Sequence, residues 1–288
     1  MKQRLLVRFI QYYHLTKFKV DIIVALTAVF GYVIGARQIG WVQVILIFSG
    51  GLLVTATAHI INQLIETEYD AKMQRTAHRP LVTGAIGYLE AVALAVLLSL
   101  SGLLLLYWVQ PYAAFISFIS LVMYAFIYTP LKQIHRIAIW IGAIPGALPV
   151  LIGYVTATGK IDLFAILLFG FQVLWQLPHF WAIAWLWHDE YQKGGYDLLP
   201  VKGGKTPLNA FLIFASAVLL FPVLYTFYHF QFVGKEIFML MMVVTLIFVI
   251  SGYRLFKFRN EKIAKELMLA SIIYLPVIQI LLIIQYTN

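Results

Sequence analysis

Three side chains that could bind a cation follow one another at helical spacing in the first quarter of the chain. Asn62, Glu66 and Asp70 are four residues apart, so a helix places them on one face. Over that interval a helix rises by roughly 12 Å. Amide and carboxylate oxygens suit Mg²⁺, which typically takes one or two carboxylates and leaves its other positions to water and substrate phosphates. The pattern therefore predicts a magnesium site.

Basic side chains follow these acids directly. Arg75 and Arg79 come within ten residues of Asp70, and guanidinium groups bind phosphate oxygens in bidentate fashion. The stretch 41–61 upstream is almost wholly apolar, so the cluster is expected where a membrane helix ends. Charges at such a position can simply mark the solvated end of a span. Acids followed by arginines instead favour a metal–diphosphate site at a membrane face.

The elements that must position this cluster are membrane helices. The chain is 62% hydrophobic and 11% charged, with a mean hydropathy of +0.88, which is typical of polytopic membrane proteins. About twenty apolar residues span a bilayer as a helix. Such segments are centred near residues 28, 52, 96, 120, 147, 174, 219, 246 and 275. We therefore predict an all-α protein with about nine transmembrane helices around a central cavity, forming one domain over residues 1–288.

The distribution of charge indicates an orientation. The chain has 21 Lys and Arg against 12 acidic residues, and no cysteine, which excludes disulfides and thiolate ligation of metals. If loops alternate between two sides, all the basic residues except Arg37, Lys160 and Lys235 fall on one side, Lys2 and Arg4 among them. This positive-inside pattern predicts a cytoplasmic N-terminus, and it explains the net charge of +9 without a nucleic-acid partner. Neither a cleavable signal nor a mitochondrial presequence is indicated, so we expect a multi-pass protein of the bacterial cytoplasmic (inner) membrane.

Polar residues on other spans are predicted to reach the same side. His59 precedes the Asn62 cluster on the second span, and Lys132 and Arg136 follow the fourth span. Alone, Lys132 is typical of an anchor that extends to the lipid headgroups. The fifth span is rich in residues that permit kinks or close helix approach, namely Gly142, Pro145, Gly146, Pro149 and Gly153.

A second acidic cluster follows the sixth span as the first follows the second. Asp189 and Glu190 are adjacent, so if the helix continues this far they point about 100° apart and only one can face a substrate. Lys193 lies one turn beyond Asp189 and is its expected ion-pair partner. The sixth span itself carries three polar residues on one face, Gln172, Gln176 and His179.

With these motifs the chain resembles the UbiA-type intramembrane prenyltransferases. Their pattern Asn-x3-Asp-x3-Asp after the second span is matched by Asn62, Glu66 and Asp70, with Glu at the middle position. The haem-farnesylating branch of that family resembles the chain in four blocks, Met73-x-Arg75-Thr76-x2-Arg79-Pro80-Leu81, Tyr128-Thr129-Pro130-Leu131-Lys132, Trp175-Gln176-x-Pro178-His179-Phe180-Trp181 and Leu199-Pro200-Val201. The family's second motif, Asp-x3-Asp, is not kept, because Lys193 stands four residues after Asp189; Glu190-Tyr191 matches the acid–Tyr pair of the haem branch instead.

The resemblance implies transfer of the farnesyl group of farnesyl diphosphate to the vinyl group of haem b (protoheme IX), giving haem O and diphosphate. It implies Mg²⁺ as cofactor, and as further partners the lipid bilayer and the downstream haem-A-forming or terminal oxidase machinery. The residues implied in catalysis are Asn62, Glu66, Asp70, Lys132 and Glu190, those in metal binding Asn62, Glu66, Asp70, Asp189 and Glu190, and those in diphosphate binding Arg75, Arg79 and Lys132. His179 and His59 are expected to touch the porphyrin, as an iron ligand or through a propionate; a histidine bonded to a neighbouring carbonyl is the structural alternative.

Two other functions fit parts of this pattern. A related prenyltransferase would use a quinone-precursor ring as acceptor, which the block 175–181 disfavours. A transporter would also carry polar stripes within its spans, but near the midplane. The acids here are predicted at one membrane face, which disfavours transport.

Overall fold

The computed structural model describes residues 2–287, with the side chains of residues 6–286. Met1, Asn288 and the side chains of Lys2 and Arg4 lie outside the described part. Nine helical segments within residues 18–286 are long and apolar enough to cross a membrane, as expected from the sequence. All regular secondary structure in the described part of the chain is helical, which confirms the all-α fold.

The helices follow one another with short connections except at 71–87 and 194–206. They are α1 (Lys2–Thr16), α2 (Phe18–Gly35), α3 (Trp41–Asp70), α4 (Tyr88–Val109), α5 (Pro111–Val122), a π-helical segment (Met123–Tyr128), α6 (Thr129–Ile134), α7 (Ala138–Thr158), α8 (Leu163–Leu186), α9 (His188–Lys193), α10 (Pro207–Val218), α11 (Leu220–His229), α12 (Lys235–Phe258) and α13 (Glu261–Thr287). The segment from α5 to α6 forms the fourth span, and α10 with α11 forms the seventh.

Helix α7 lies at the centre of the bundle, with 78% of its most apolar stretch buried. It crosses α2 at two glycines. A Cβ on Gly153 would lie 1.8 Å from the carbonyl oxygen of Ala28, and one on Gly31 would lie 2.0 Å from that of Val150. The two backbones are therefore so close that neither position could accommodate a side chain. Small residues allow membrane helices to pack in this way.

The prolines of α7 leave backbone groups that a neighbouring helix bonds. Pro145 and Pro149 both lie inside α7. A proline at 149 leaves the carbonyl of Pro145 without its helical donor, and the hydroxyl of Ser120 donates to that oxygen at 3.1 Å. The predicted kink-prone span is thus a continuous helix whose lost bond is replaced from α5.

Helix α3 runs for 30 residues to Asp70, so Asn62, Glu66 and Asp70 lie on the helix, as their spacing predicts. The end of the sixth span differs from what a continued helix would give. Helix α8 ends at Leu186, and residues 188–193 form the separate short helix α9. The second acidic pair is therefore oriented by α9 and not by the sixth span.

Loops 71–87, 135–137, 187–206 and 259–260 lie at one end of the bundle, here called the site side. Arg136 pairs with Asp197 at 2.7 Å, and Lys205 with Glu261 at 2.7 Å, so these ion pairs join consecutive loops of that side. These pairs are consistent with loops that alternate between the two sides of the membrane, as assumed above when the basic residues were assigned to sides.

Candidate active site

One face of α3 carries the predicted cluster at the site side. Asn62, Glu66 and Asp70 are only 2%, 3% and 1% exposed. The helix brings their oxygens to one face, as the four-residue spacing predicts. Burying a carboxylate without a partner costs free energy. The neighbours of these groups therefore determine which ligands the face can bind.

Both carboxylates are paired with predicted phosphate-binding residues. Nζ of Lys132 lies 2.5 Å from Oε1 of Glu66. The guanidinium group of Arg79 forms an ion pair with Oδ2 of Asp70. Lys132 is therefore more than a headgroup anchor, since its ammonium points into the bundle.

The amide of the cluster is bonded by a residue that the sequence pattern did not single out. Nζ of Lys17 donates to Oδ1 of Asn62 at 3.3 Å. Lys17 lies between α1 and α2 with φ of 58°, in the left-handed region that a non-glycine residue seldom adopts. Burial, and next the charge of Arg79, lower the pKa of Lys17 to about 7. No spacing in the sequence separates this lysine from the other basic residues of the site side.

Helix α3 holds the turn that carries Lys17. Nε2 of Gln63 donates to the carbonyl oxygens of Leu15, at 2.6 Å, and His14, at 3.3 Å. One turn away, Nδ1 of His59 lies 2.6 Å from Oδ1 of Asp21, and the Asp21 side chain is fully buried. Gln63 and His59 of α3 thus hold the junction of α1 and α2 against the cluster.

The π-helical segment Met123–Tyr128 shapes the facing wall. π-helical turns within α-helices are rare and frequent at functional sites. The hydroxyl of Thr129 donates to the carbonyl of Tyr124 at 2.9 Å and accepts from Nδ2 of Asn62 at 3.2 Å. The irregular turn therefore bonds the cluster directly.

Tyrosine rings enclose the ammonium of Lys132. Its Nζ lies 5.5 Å from the ring centroid of Tyr128 and 5.1 Å from that of Tyr196. Burial raises the pKa of Tyr196, so its hydroxyl stays neutral. Such rings stabilise a cation through their faces.

Arg75 brings the second acidic cluster to the first. Its guanidinium group lies over the rings of Trp187, at 5.6 Å, and Tyr191, at 5.7 Å. Its Nε is buried and has no hydrogen-bond partner among the described residues. Its backbone N–H donates to Oε2 of Glu190 at 3.4 Å. Glu190 is thus joined to the loop that follows α3, as a residue facing the same substrate should be.

The expected pairing of Lys193 with Asp189 is wrong. Nζ of Lys193 lies 2.5 Å from Oε1 of Glu190, because in α9 residue 193 stacks over residue 190. This hydrogen bond lowers the pKa of Glu190, which is therefore ionised at neutral pH. Asp189 points away, with its side chain 76% exposed and its carboxylate 3.5 Å from Nζ of Lys205.

The second predicted histidine lies between α8 and α13. Nδ1 of His179 is 2.6 Å from Oγ of Ser271, and its ring stacks on Trp175 with centroids 5.3 Å apart. The indole nitrogen of Trp175 donates to the carbonyl oxygen of Ser271 at 3.0 Å. His59, in contrast, lies three residues before Asn62 on α3. The two histidines therefore belong to different walls of the bundle.

The donor chemistry of α3 fits Mg²⁺ in part. Among the described residues no group of three or more His, Cys, Asp or Glu could hold a metal by itself. Glu66 and Asp70 supply two carboxylates and Asn62 an amide oxygen. Such a set suits Mg²⁺, which completes its coordination with water and substrate phosphates. The cations that contact these donors are also placed to receive phosphate oxygens.

Comparison with known proteins identifies the family of the chain. Residues 24–273 match the UbiA prenyltransferase family. The chain is 40% identical to a protoheme IX farnesyltransferase of Cytophaga hutchinsonii, over 95% of this chain and 96% of that protein. The solved structure of a digeranylgeranylglyceryl phosphate synthase superimposes with a TM-score of 0.78 at 21% identity, covering 96% of this chain and 98% of the other.

A second similar structure was solved with bound ligands. A UbiA homologue from Archaeoglobus fulgidus bound to GPP and Mg²⁺ superimposes with a TM-score of 0.68 at 14% identity, covering 95% of this chain and 99% of that one. Both the sequence match and the fold match extend over most of the chain. The chain therefore belongs to the UbiA prenyltransferase family, and is a multi-pass membrane enzyme that transfers prenyl groups.

Proposed function

We propose that this protein transfers the farnesyl group of farnesyl diphosphate to the vinyl group of haem b, giving haem O and diphosphate. The observation that supports the acceptor most directly is the near full-length similarity to a protoheme IX farnesyltransferase at 40% identity. The buried carboxylates of α3, each paired with a cation, support the diphosphate half of the reaction.

Breaking the allylic C–O bond leaves additional negative charge on diphosphate, which preorganised positive charge stabilises. Lys132 and Arg79 would exchange their carboxylate partners for phosphate oxygens, and Arg75 would add its unpartnered Nε–H. Asn62, Glu66 and Asp70 would hold Mg²⁺, which supplies further positive charge at the leaving group when bound. Of the second pair, Glu190 would face the diphosphate and Asp189 would be a more distant contributor.

The allylic cation must then avoid stray water until the vinyl group attacks. The rings of Tyr128 and Tyr196 lie beside Lys132 and would present aromatic faces to the cation if Lys132 binds the diphosphate. Water added to the porphyrin-side cation would give the hydroxyethyl group of haem O. His179 and His59 are the proposed contacts of the porphyrin.

Several wider features belong to the same proposal. Residues 1–288 would act as one domain, with a cytoplasmic N-terminus in a bacterial inner membrane. The positive-inside distribution supports this orientation. The haem-A-forming or terminal oxidase machinery would receive the product.

The test of the proposed function is an acceptor comparison. Membranes containing the protein are incubated with farnesyl diphosphate, Mg²⁺ and either haem b or a quinone-precursor aromatic acid, and the products are analysed by mass. We expect a haem-derived pigment heavier by one farnesyl group and one hydroxyl group, since the other hydrogen of the added water leaves as a proton. A prenylated aromatic acid with unaltered haem would overturn the proposal.

A further inference from the structure

The hydrogen bonds around His179 determine which of its ring nitrogens carries the proton. The hydroxyl of Ser271 donates its one proton to the carbonyl oxygen of Met268 at 2.5 Å. Oγ of Ser271 can therefore only accept from Nδ1 of His179, which lies 2.6 Å away. The neutral imidazole then carries its proton on Nδ1 and a free lone pair on Nε2.

The neighbours of His179 hold the ring in this orientation. The indole of Trp175 stacks on it with an interplanar angle of 14°. The same indole donates to the backbone of Ser271, so α8 and α13 are joined at both groups. Histidines that ligate metals commonly have their other ring nitrogen fixed by such a hydrogen bond, which sets the tautomer and the ring orientation.

Nε2 of His179 remains available, and Nδ1 of His59 is paired with a buried carboxylate. No hydrogen-bond partner of Nε2 of His179 occurs within the described part of the chain, and the residue is only partly buried. Nδ1 of His59 contacts the carboxylate of Asp21 at 2.6 Å. His59 therefore also joins α3 to α2.

We infer that Nε2 of His179 coordinates the iron of the porphyrin acceptor, with Ser271 as the residue that positions it. This inference rests on the proposed function, because it takes haem b as the substrate. It also distinguishes coordination of the iron by His179 from a hydrogen bond between His179 and a propionate. A propionate needs a hydrogen-bond donor, and an unprotonated Nε2 offers only a lone pair, which suits a metal ion.

The experiment compares metal-containing and metal-free porphyrin on purified protein without farnesyl diphosphate. The affinities for zinc protoporphyrin and for metal-free protoporphyrin are measured for wild type and His179→Ala. The ratio of the two affinities isolates coordination from ring packing, so it stays informative if the variant packs slightly differently. We expect the wild type to prefer the zinc porphyrin by about 10-fold or more, and His179→Ala to bind both porphyrins equally.

Matched variants complete the test. Ser271→Ala should lower the zinc preference partly, because Nδ1 loses the acceptor that fixes the tautomer, and the absorption spectrum of bound haem b should shift. His229→Ala, an exposed histidine at the far end of α11, should keep the wild-type ratio. A wild-type ratio in His179→Ala overturns the inference while leaving haem farnesylation by the wild type intact. A wild type that neither binds nor farnesylates haem overturns the proposed function as well.

Discussion

At the scale of single residues, each donor of the α3 face is held by a cation that could bind a phosphate oxygen in its place. Glu66 binds Lys132, and Asp70 binds Arg79. Buried pairs of this kind are not strong stabilisers, because desolvation offsets much of their attraction. Their arrangement is better explained by exchange, in which a cation moves to the diphosphate and the carboxylate becomes free for a metal.

The two acids of α9 are expected to differ in importance. Glu190→Gln should lower turnover far more than Asp189→Asn, because Glu190 is joined to the Arg75 loop while Asp189 faces Lys205. Raised Mg²⁺ should restore part of the activity of Glu190→Gln. The measurement is the initial rate against Mg²⁺ concentration at matched membrane abundance. Equal losses, or a larger loss for Asp189→Asn, would show that the assignment is reversed.

Lys17 is expected to act in diphosphate binding. Lys17→Gln removes the ammonium that bonds Asn62, so KM for farnesyl diphosphate should rise by about 10-fold, the effect of one charge-assisted hydrogen bond. Lys19→Gln is the matched control, since Lys19 lies on the same turn but is exposed. Steady-state kinetics give the KM for farnesyl diphosphate of both variants. An unchanged KM in Lys17→Gln contradicts this role.

The residues that share a site could be predicted from the sequence only where the geometry of a single helix was sufficient. The shared face of Asn62, Glu66 and Asp70 follows from helical spacing alone. The role of Lys17 could not be predicted, because it depends on a left-handed turn and on bonds from Gln63 to the backbone of α1. The pairing of Lys193 was missed because two positions of α9 lie within its reach and tertiary packing selects Glu190.

At the scale of helices, α2 and α7 cross with their backbones in contact at Gly31 and Gly153. Hydropathy was sufficient to predict the nine spans, since twenty-residue apolar runs have few alternatives in a bilayer. The end of α8 was not predicted, because a helix that leaves the membrane continues or stops according to contacts with its neighbours. The fifth span's glycines were singled out, and the structure gives them the role of close approach.

Gly153→Ala should destabilise the bundle. The new Cβ would meet the carbonyl oxygen of Ala28 at 1.8 Å, so α2 and α7 must separate, at a cost of about 1–3 kcal/mol or more. Gly170→Ala is the matched control, because nothing lies within 4 Å of a Cβ there and alanine favours a helix. Thermal unfolding in detergent measures both. A Gly153→Ala variant as stable as wild type would falsify the tight crossing.

At the scale of the whole molecule, the site side is proposed to face the cytoplasm, because the basic residues concentrate there. The natural chain has no cysteine, so single cysteines report orientation without background. In intact cells a membrane-impermeant maleimide should label Lys160→Cys, whose side chain is exposed on the opposite side, and should label Lys202→Cys only after permeabilisation. The reverse pattern of labelling would contradict the positive-inside assignment.

The central claim is that the α3 face ionises a prenyl diphosphate for transfer to haem. Its most direct test measures released diphosphate and haem-derived pigment together, using purified wild type, Glu66→Gln and Asp70→Asn with haem b and farnesyl diphosphate. We predict equal amounts of both products from wild type, loss of both when Mg²⁺ is chelated, and a decrease of about 100-fold or more in either variant. Wild-type rates in a variant that inserts normally, or diphosphate release with haem b unaltered, would contradict the account.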